Sequence, residues 1–353
     1  MDEMIFQPKS KWTSGLDDII ISSRIRLARN LQDFSFPQRI NSEKAKEILD
    51  KSEKAIAHLS KKNGHRYYFY RLQELNEQKK GILLEKHLIS PPLLETKIPA
   101  AVAIREDQAV AIMFNEEDHL RIQCFLPAAQ LEEAWLLASK TDDILSEFLH
   151  YAFDSKLGYL TSCPTNIGTG LRASLMLHLP GLVMSKQAAA IFDSMPRFGL
   201  TVRGIYGERT QGLGNLFQIS NQVTLGQKEE DIINKLNSVV NQVMEQERQC
   251  RRQLQKKYAN ELYDSIWRSY GILANARTIT SEEMMEKLSH LRLGVDMGII
   301  VGITTQQINE LMLAGQPNFI NESCHKKLSF SQRDWERAKL IRKNLKNINV
   351  KEE

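Results

Sequence analysis

Cysteine is scarce in this chain: Cys124, Cys163, Cys250 and Cys324 are the four among 353 residues, and no two form a CxxC pair. That scatter gives neither a disulfide framework nor a zinc-binding spacing. No apolar run approaches the roughly 18 residues of a membrane span, and residues 1–16 lack the apolar core of a signal peptide, so the expected compartment is the cytoplasm. There is no GxxxxGK[ST] phosphate loop and no protein-kinase glycine-rich loop with its downstream motifs. Internal repeats and low-complexity tracts are also lacking. A net charge of +4 permits anionic partners without demanding nucleic acid. The remainder is ordinary for a soluble globular protein, with 42% hydrophobic and 25% charged residues in a chain long enough for a large domain and a smaller one.

What is present is arginine placed on strands. Residues 19–27, 67–70, 100–104, 109–114 and 119–125 read as short strands, followed by others through Leu179 and near 200–205 and 216–219. With a period of two, Arg24 and Arg26 share one face while Ile25 and Leu27 take the other. Arg121 sits opposite Leu120, Ile122 and Cys124. Arg172, Ser174 and Met176 sit opposite Ala173, Leu175 and Leu177, and Arg203 lies in the Val202–Glu208 segment. A single surface arginine is most often a solvated side chain. As a set, guanidinium forks above an aliphatic layer suit a polyphosphate.

Between these strands Asn41 or Ser42 caps a helix whose inner face is Ala45, Ile48, Leu49, Ala55, Ile56 and Leu59. Residues 128–156 read as one long helix and 186–194 as another. From Glu229 the composition changes, with Ile232, Ile233, Leu236, Val239, Val240 and Val243 at helical spacing. Beyond about residue 260 no strand run is convincing, and helices are expected near 280–291, 304–314 and 331–346. The expected fold class is α+β, a mostly antiparallel sheet flanked by helices and followed by a helical C-terminal domain. The expected domains are residues 1–257 (core 18–257) and 258–353.

The loop Cys163-Pro164-Thr165-Asn166-Ile167-Gly168-Thr169-Gly170-Leu171-Arg172, with Asn115–Arg121, Ser22–Arg26 and Val202–Glu208, resembles the catalytic domain of the ATP:guanido phosphotransferases, the phosphagen kinases. The resemblance covers roughly residues 18–257. It implies that Arg24, Arg26, Arg121, Arg172 and Arg203 hold the ATP phosphates. It also implies a nucleotide site lined by Ser22, Ser23, Ile25, Ala173, Ser174, Leu175, Met176, Gly204, Ile205, Tyr206, Gly207 and Glu208, with His87 near the nucleoside. Magnesium would be held mainly by phosphate oxygens and water, without a protein metal cage.

A guanidinium has a pKa above about 12 and is a poor nucleophile while protonated. Phosphorylating it requires carboxylates that align the planar fork and accept a proton as the N–P bond forms. The resemblance assigns that work to Glu117 and Glu208. Alone, Glu117 would read as one acid in an exposed turn, and Cys163 as a small buried hydrophobe. The family implies that Cys163 orients substrate and is not a covalent phosphate carrier. Tyr206 and Gln211 depart from the arginine and glutamate often found there in small-molecule arginine kinases, which leaves the substrate-loop contacts open.

Small-molecule members carry about a hundred helical residues before this domain. Here Ser22 comes early and a helical region follows instead, as in the bacterial protein-arginine kinases of the family. His87–Pro91, Gly214–Gly226 and Arg333–Ala338 are similar to them too. This implies a protein-arginine kinase acting in stress response and protein quality control. The implied partners are protein substrates, an activator (McsA), a stress repressor (CtsR), the Clp unfoldase–protease and a second copy of the chain, with no direct nucleic-acid or membrane contact. On a helix Arg333 and Arg337 share a face, which alone reads equally well as a solvated face. The resemblance makes Arg333, Asp334 and Arg337 a non-catalytic phosphoarginine site. The alternatives are a small-molecule guanidino kinase, a non-catalytic phosphoarginine-binding adaptor and, more weakly, nucleic-acid binding by the basic tail.

Overall fold

The computed structural model describes residues 2–204 and 212–346. Its strands are β1 (Ile20–Arg29), β2 (Tyr67–Arg71), β3 (Ala101–Arg105), β4 (Val110–Phe114), β5 (Leu120–Pro127), β6 (Phe153–Asp154), β7 (Gly158–Tyr159), β8 (Leu171–His178), β9 (Leu200–Gly204) and β10 (Leu216–Asn221). Eight of them form one sheet in the order β2-β3-β4-β5-β1-β8-β10-β9, while β6 and β7 make a separate hairpin. The pairs from β2 to β5 are antiparallel, with Ile112 opposite Ile122 and Met113 opposite Arg121. The helices are α1 (Ser42–Asn63), α2 (Glu77–Glu85), α3 (Pro91–Glu95), α4 (Leu131–Ser146), α5 (Pro180–Met184), α6 (Ala188–Ser194), α7 (Glu229–Lys257), α8 (Ala259–Asn275), α9 (Ser281–Asp296), α10 (Thr305–Ala314), α11 (Pro317–Ser323) and α12 (Phe330–Leu345). The fold is therefore α+β, an antiparallel sheet with flanking helices and then a helical C-terminal region.

Contacts divide the chain into two compact units. The first comprises Met1–Gln7, Ser23–Ser174 and Ser220–Asn237; the second comprises Pro8–Ser22, Leu175–Ile219 and Ser238–Glu353.

In the first unit, α1 forms where capping and periodicity agree. The Asn41 side chain accepts the Lys44 N–H, and Gly64 ends the helix at φ 73°, returning its N–H to the Ser60 carbonyl. Ala45, Ile48, Leu49, Ala55, Ile56 and Leu59 are all buried, as the spacing predicts. Strands β3 and β4 are buried along their whole length.

The long helix expected over 128–156 is a correction. Helix α4 stops at Ser146 because the backbone beyond it bonds elsewhere. The His150 carbonyl accepts from Gln32 N–H and the Ala152 N–H donates to the Asn30 carbonyl. Asp154 Oδ1 then accepts from Lys156 and Leu157 N–H and turns the chain into the β6–β7 hairpin. Helices α2, α3, α5, α8 and α11 have no counterpart among the helices expected from the sequence.

In the second unit, helices meet around a polar seam beside β9 and part of β8 and β10. Glu247, fully buried on α7, accepts from the Gly181 and Leu182 N–H groups at the start of α5 and from Arg251 Nε at 2.7 Å. No helix among the described residues is long and apolar enough to cross a membrane.

The last residue of β1, Arg29, is buried in the first unit. Its Nε and Nη2 donate to Asp142 Oδ2 on α4 at 3.0 and 2.6 Å, its Nη1 donates to the Thr169 carbonyl at 3.0 Å, and its guanidinium lies 3.5 Å from the Tyr159 ring centroid. Removing one partner of a buried pair leaves the other charge uncompensated. Arg29→Met is expected to lower stability by about 3–5 kcal/mol in urea denaturation. Adding Asp142→Leu should recover part of that loss; a single-mutant loss below about 1 kcal/mol would contradict this reading.

Candidate active site

The first unit gathers four of the five arginines. Arg24 and Arg26 on β1, Arg121 on β5 and Arg172 on β8 occupy three adjacent strands. Ile25, Leu27, Leu120, Ile122, Ala173 and Cys124 are buried beneath them, so the period-of-two reading holds. Arg24 is close enough to Arg121 and Arg172 to feel both. Burial, with repulsion from those two, pushes its pKa down to about 9, and nearby Glu116 opposes the shift. Arg26 is likewise pushed well below its ordinary value by burial and by Arg24, Arg121 and Arg172. Buried Nε atoms of Arg24 and Arg26 have no acceptor. A cationic face with unused donors fits a polyphosphate.

Two buried side chains that sequence reasoning missed organise this face. Gln123 Oε1 accepts from Arg24 Nη2, while its Nε2 donates to the His87 carbonyl at 2.7 Å. His87 itself has a left-handed backbone, φ 58°. Burial, then the charge of Arg24, pushes its pKa down to about 3, so the ring is neutral at physiological pH. Glu116 accepts from Ser90 Oγ at 2.7 Å and from Arg121 Nη1 at 2.8 Å. Arg121 Nη2 donates to Glu117 Oε2 at 3.0 Å, and Glu117 stays partly exposed. The Glu117 carboxylate thus already receives a guanidinium N–H, which is the chemistry needed for a substrate arginine. Gln123 sits two residues beyond Arg121 on the same strand face, which was the available signal. Glu116 was legible only as one acid in a Glu-Glu-Asp turn.

The cysteine loop belongs to the same unit. Cys163 is half-buried, with Sγ 3.0 Å from Thr165 Oγ1. Thr224 Oγ1 donates to the Thr165 and Ile167 carbonyls, and Asp118 Oδ1 accepts the Ser162 N–H at 2.7 Å. Gly170, at φ 64°, sits where an added Cβ would meet the Ala28 carbonyl at 2.6 Å, and the chain then enters β8 directly.

Ser23 serves the framework: its Oγ donates to the Ala128 carbonyl and accepts the Gln130 N–H, each at 2.8 Å. Ser174 Oγ lies 3.5 Å from the Arg24 carbonyl, and Ala173 N–H donates to Asn221 Oδ1. In the second unit Ser22, Leu175 and Met176 are buried, Gly204 is half-buried and Arg203 is exposed. Ile205, Tyr206, Gly207, Glu208 and Gln211 lie outside the described residues.

Also in the second unit, Arg333, Asp334 and Arg337 lie on α12. Arg337 is buried, and its Nε and Nη1 donate to the Gly315 and Ile279 carbonyls at 2.7 and 2.8 Å. Its Nη1 is also 2.5 Å from Asp334 Oδ1. Arg333 donates to the Leu328 carbonyl and lies over the exposed Phe330 ring. The solvated-face alternative therefore does not hold for Arg337.

Comparison with known proteins agrees with this geometry. The family profile "ATP:guanido phosphotransferase, C-terminal catalytic domain" matches residues 47–250, and "Protein-arginine kinase McsB C-terminal domain" matches residues 259–353. The chain is 49% identical over 352 residues to the protein-arginine kinase of Desulforamulus reducens, covering 99% of each chain. It is 47% identical to that of Brevibacillus brevis, covering 98% of each. Among solved structures, lombricine kinase has a TM-score of 0.59 at 22% identity, over 69% of this chain and 70% of that one. The duplicated taurocyamine kinase of Schistosoma mansoni gives 0.59 at 23%, over 75% of this chain and 38% of that one. These two likenesses concern the fold. The arginine face, the cysteine loop and the two profile matches together place this chain in the ATP:guanido phosphotransferase family, among its protein-arginine kinases.

Proposed function

We propose that the chain transfers the γ-phosphoryl group of ATP to arginine side chains of proteins. The observation that carries this reading is the cluster of Arg24, Arg26, Arg121 and Arg172 beside the Glu116–Glu117 carboxylates: polyphosphate donors and a guanidinium acceptor in one unit. The relatives' name supplies the acceptor class. Arg24, Arg26, Arg121 and Arg172, with Arg203, hold the phosphates. Glu117, with Glu208, aligns the substrate guanidinium and accepts its proton, and Cys163 orients it. Magnesium, when bound to the phosphates, neutralises charge during transfer. The matches at 47–250 and 259–353 favour a division near residue 257 between catalytic and C-terminal domains. In the latter, Arg333, Asp334 and Arg337 form the phosphoarginine site, with Arg337 held in place by the Gly315 and Ile279 carbonyls. The McsA, CtsR and Clp partners and the homodimer implied by the resemblance are part of this reading.

Incubation with ATP, magnesium and an arginine-rich protein, read by mass spectrometry that preserves N–P bonds, should give phosphoarginine on protein in preference to free arginine. Preferential phosphorylation of free arginine would favour the small-molecule kinase. Glu117→Gln should lower this turnover by roughly 10²-fold or more while leaving ATP binding largely intact. Near-normal turnover would remove Glu117 from its role.

The depressed pKa of Arg24 gives a pH test. A bound polyphosphate favours the cation and raises that pKa, so binding above about pH 9 requires proton uptake and affinity falls as pH rises through this range. Calorimetry at pH 9 in buffers of different ionisation enthalpy should register uptake that is smaller in Arg24→Gln, with Arg26 accounting for what remains. Binding without uptake would place the phosphates elsewhere.

A further inference from the structure

The end of β1 carries a residue that the reaction chemistry above does not use. Asn30 follows Arg29 directly and is 1% exposed. Its Nδ2 donates to Asp118 Oδ1 at 2.6 Å and to the Leu160 carbonyl at 3.1 Å. Its Oδ1 accepts the His119 N–H at 2.9 Å. Both amide protons and the amide oxygen are therefore engaged. Asp118 and His119 are as buried as Asn30, so water has no room to replace these bonds.

The three bonds lead to the two segments that hold the acceptor machinery. Asp118 follows Glu117 in the chain, and the same Asp118 Oδ1 accepts the Ser162 N–H, one residue before Cys163. Leu160 stands at the entry to the cysteine loop. His119 reinforces the tie, because its Nδ1 accepts the Leu31 N–H while Nε2 lies 3.0 Å from the Ser35 carbonyl. Nδ1 as acceptor leaves the proton on Nε2, so the ring is a neutral spacer.

We infer that Asn30 is a positioning residue for phosphoryl transfer: its side-chain amide fixes the distance between the Glu117 turn and the Cys163 loop and anchors both to the end of the arginine strand. This rests on the roles proposed above for Glu117 and Cys163. An aspartate at position 30 would set two carboxylates against each other and leave the Leu160 carbonyl without its donor. Only a group with two donors and an acceptor in one plane satisfies all three partners.

The test uses the full chain with Asn30→Ala and two readouts. The first is the rate of iodoacetamide alkylation at Cys163, read by peptide mass spectrometry with Cys324 as internal reference. Release of the loop should speed Cys163 labelling by about fivefold or more while Cys324 is unchanged. The second is phosphoarginine turnover, which should fall by roughly 10²-fold with ATP affinity within about twofold, as expected of misplacement rather than lost binding. Unchanged labelling overturns the inference, and so does faster labelling with turnover unchanged. If Asn30→Ala does not fold, Asn30→Asp takes its place: it keeps the acceptor for the His119 N–H and removes the donors to Asp118 and Leu160. The same two changes are expected, and unchanged labelling or unchanged turnover overturns the inference. The labelling readout does not depend on activity, so it still decides whether Asn30 holds the Cys163 loop if the wild type makes no phosphoarginine.

Discussion

Guanidinium groups that share a sheet face repel one another, and the first unit keeps four of them on β1, β5 and β8. The cost is visible at Arg24, whose charged form burial and its neighbours disfavour until the pKa falls to about 9. Because that value lies below the ordinary 12.5, the group takes stability from the unliganded fold at every pH below about 9, and the loss is relieved as pH rises above it. Glu116 and Glu117 offset part of this through Arg121. The remainder is left on a face whose unused donors suit an anion with several oxygens. On the function proposed above, the site is built at the expense of the empty state and a polyphosphate completes it.

The second unit treats arginine differently. Arg251 bonds the buried Glu247, and Arg337 bonds two carbonyls and Asp334. There the guanidinium is a fastener between helices, with partners drawn from its own surroundings. Arg29 plays the same part in the first unit through Asp142 and Thr169. Residue type alone does not separate a fastener from a ligand-binding group; what separates them is whether the protein itself supplies the acceptors. Arg24 and Arg26 keep buried Nε donors without acceptors.

Much of this was legible because the sheet obeys a strict period. Arg24 and Arg26 against Ile25 and Leu27, and Arg121 against Leu120 and Ile122, required only alternation. Helix α1 was legible from Asn41 and its apolar stripe. Residues 147–156 do not continue the expected helix because the backbone at His150 and Ala152 bonds to Gln32 and Asn30, more than a hundred residues away, which no local window contains. Gln123, Glu116 and Asn30 were missed for a related reason. Each acts as a bridge between distant segments, and an isolated amide or acid on a strand or in a turn carries no sign of its partner. The Cys163 loop stood out through its motif, whereas its moorings at Asp118 and Thr224 did not.

If polyphosphate relieves the like-charge strain on this sheet face, thermal unfolding will show it when the protein is compared in the presence of inorganic tripolyphosphate and of adenosine, each at the same concentration and low ionic strength. Tripolyphosphate alone should raise Tm by preferential binding to the folded state, and adenosine alone should raise it little. Stabilisation by adenosine with none by tripolyphosphate would contradict this.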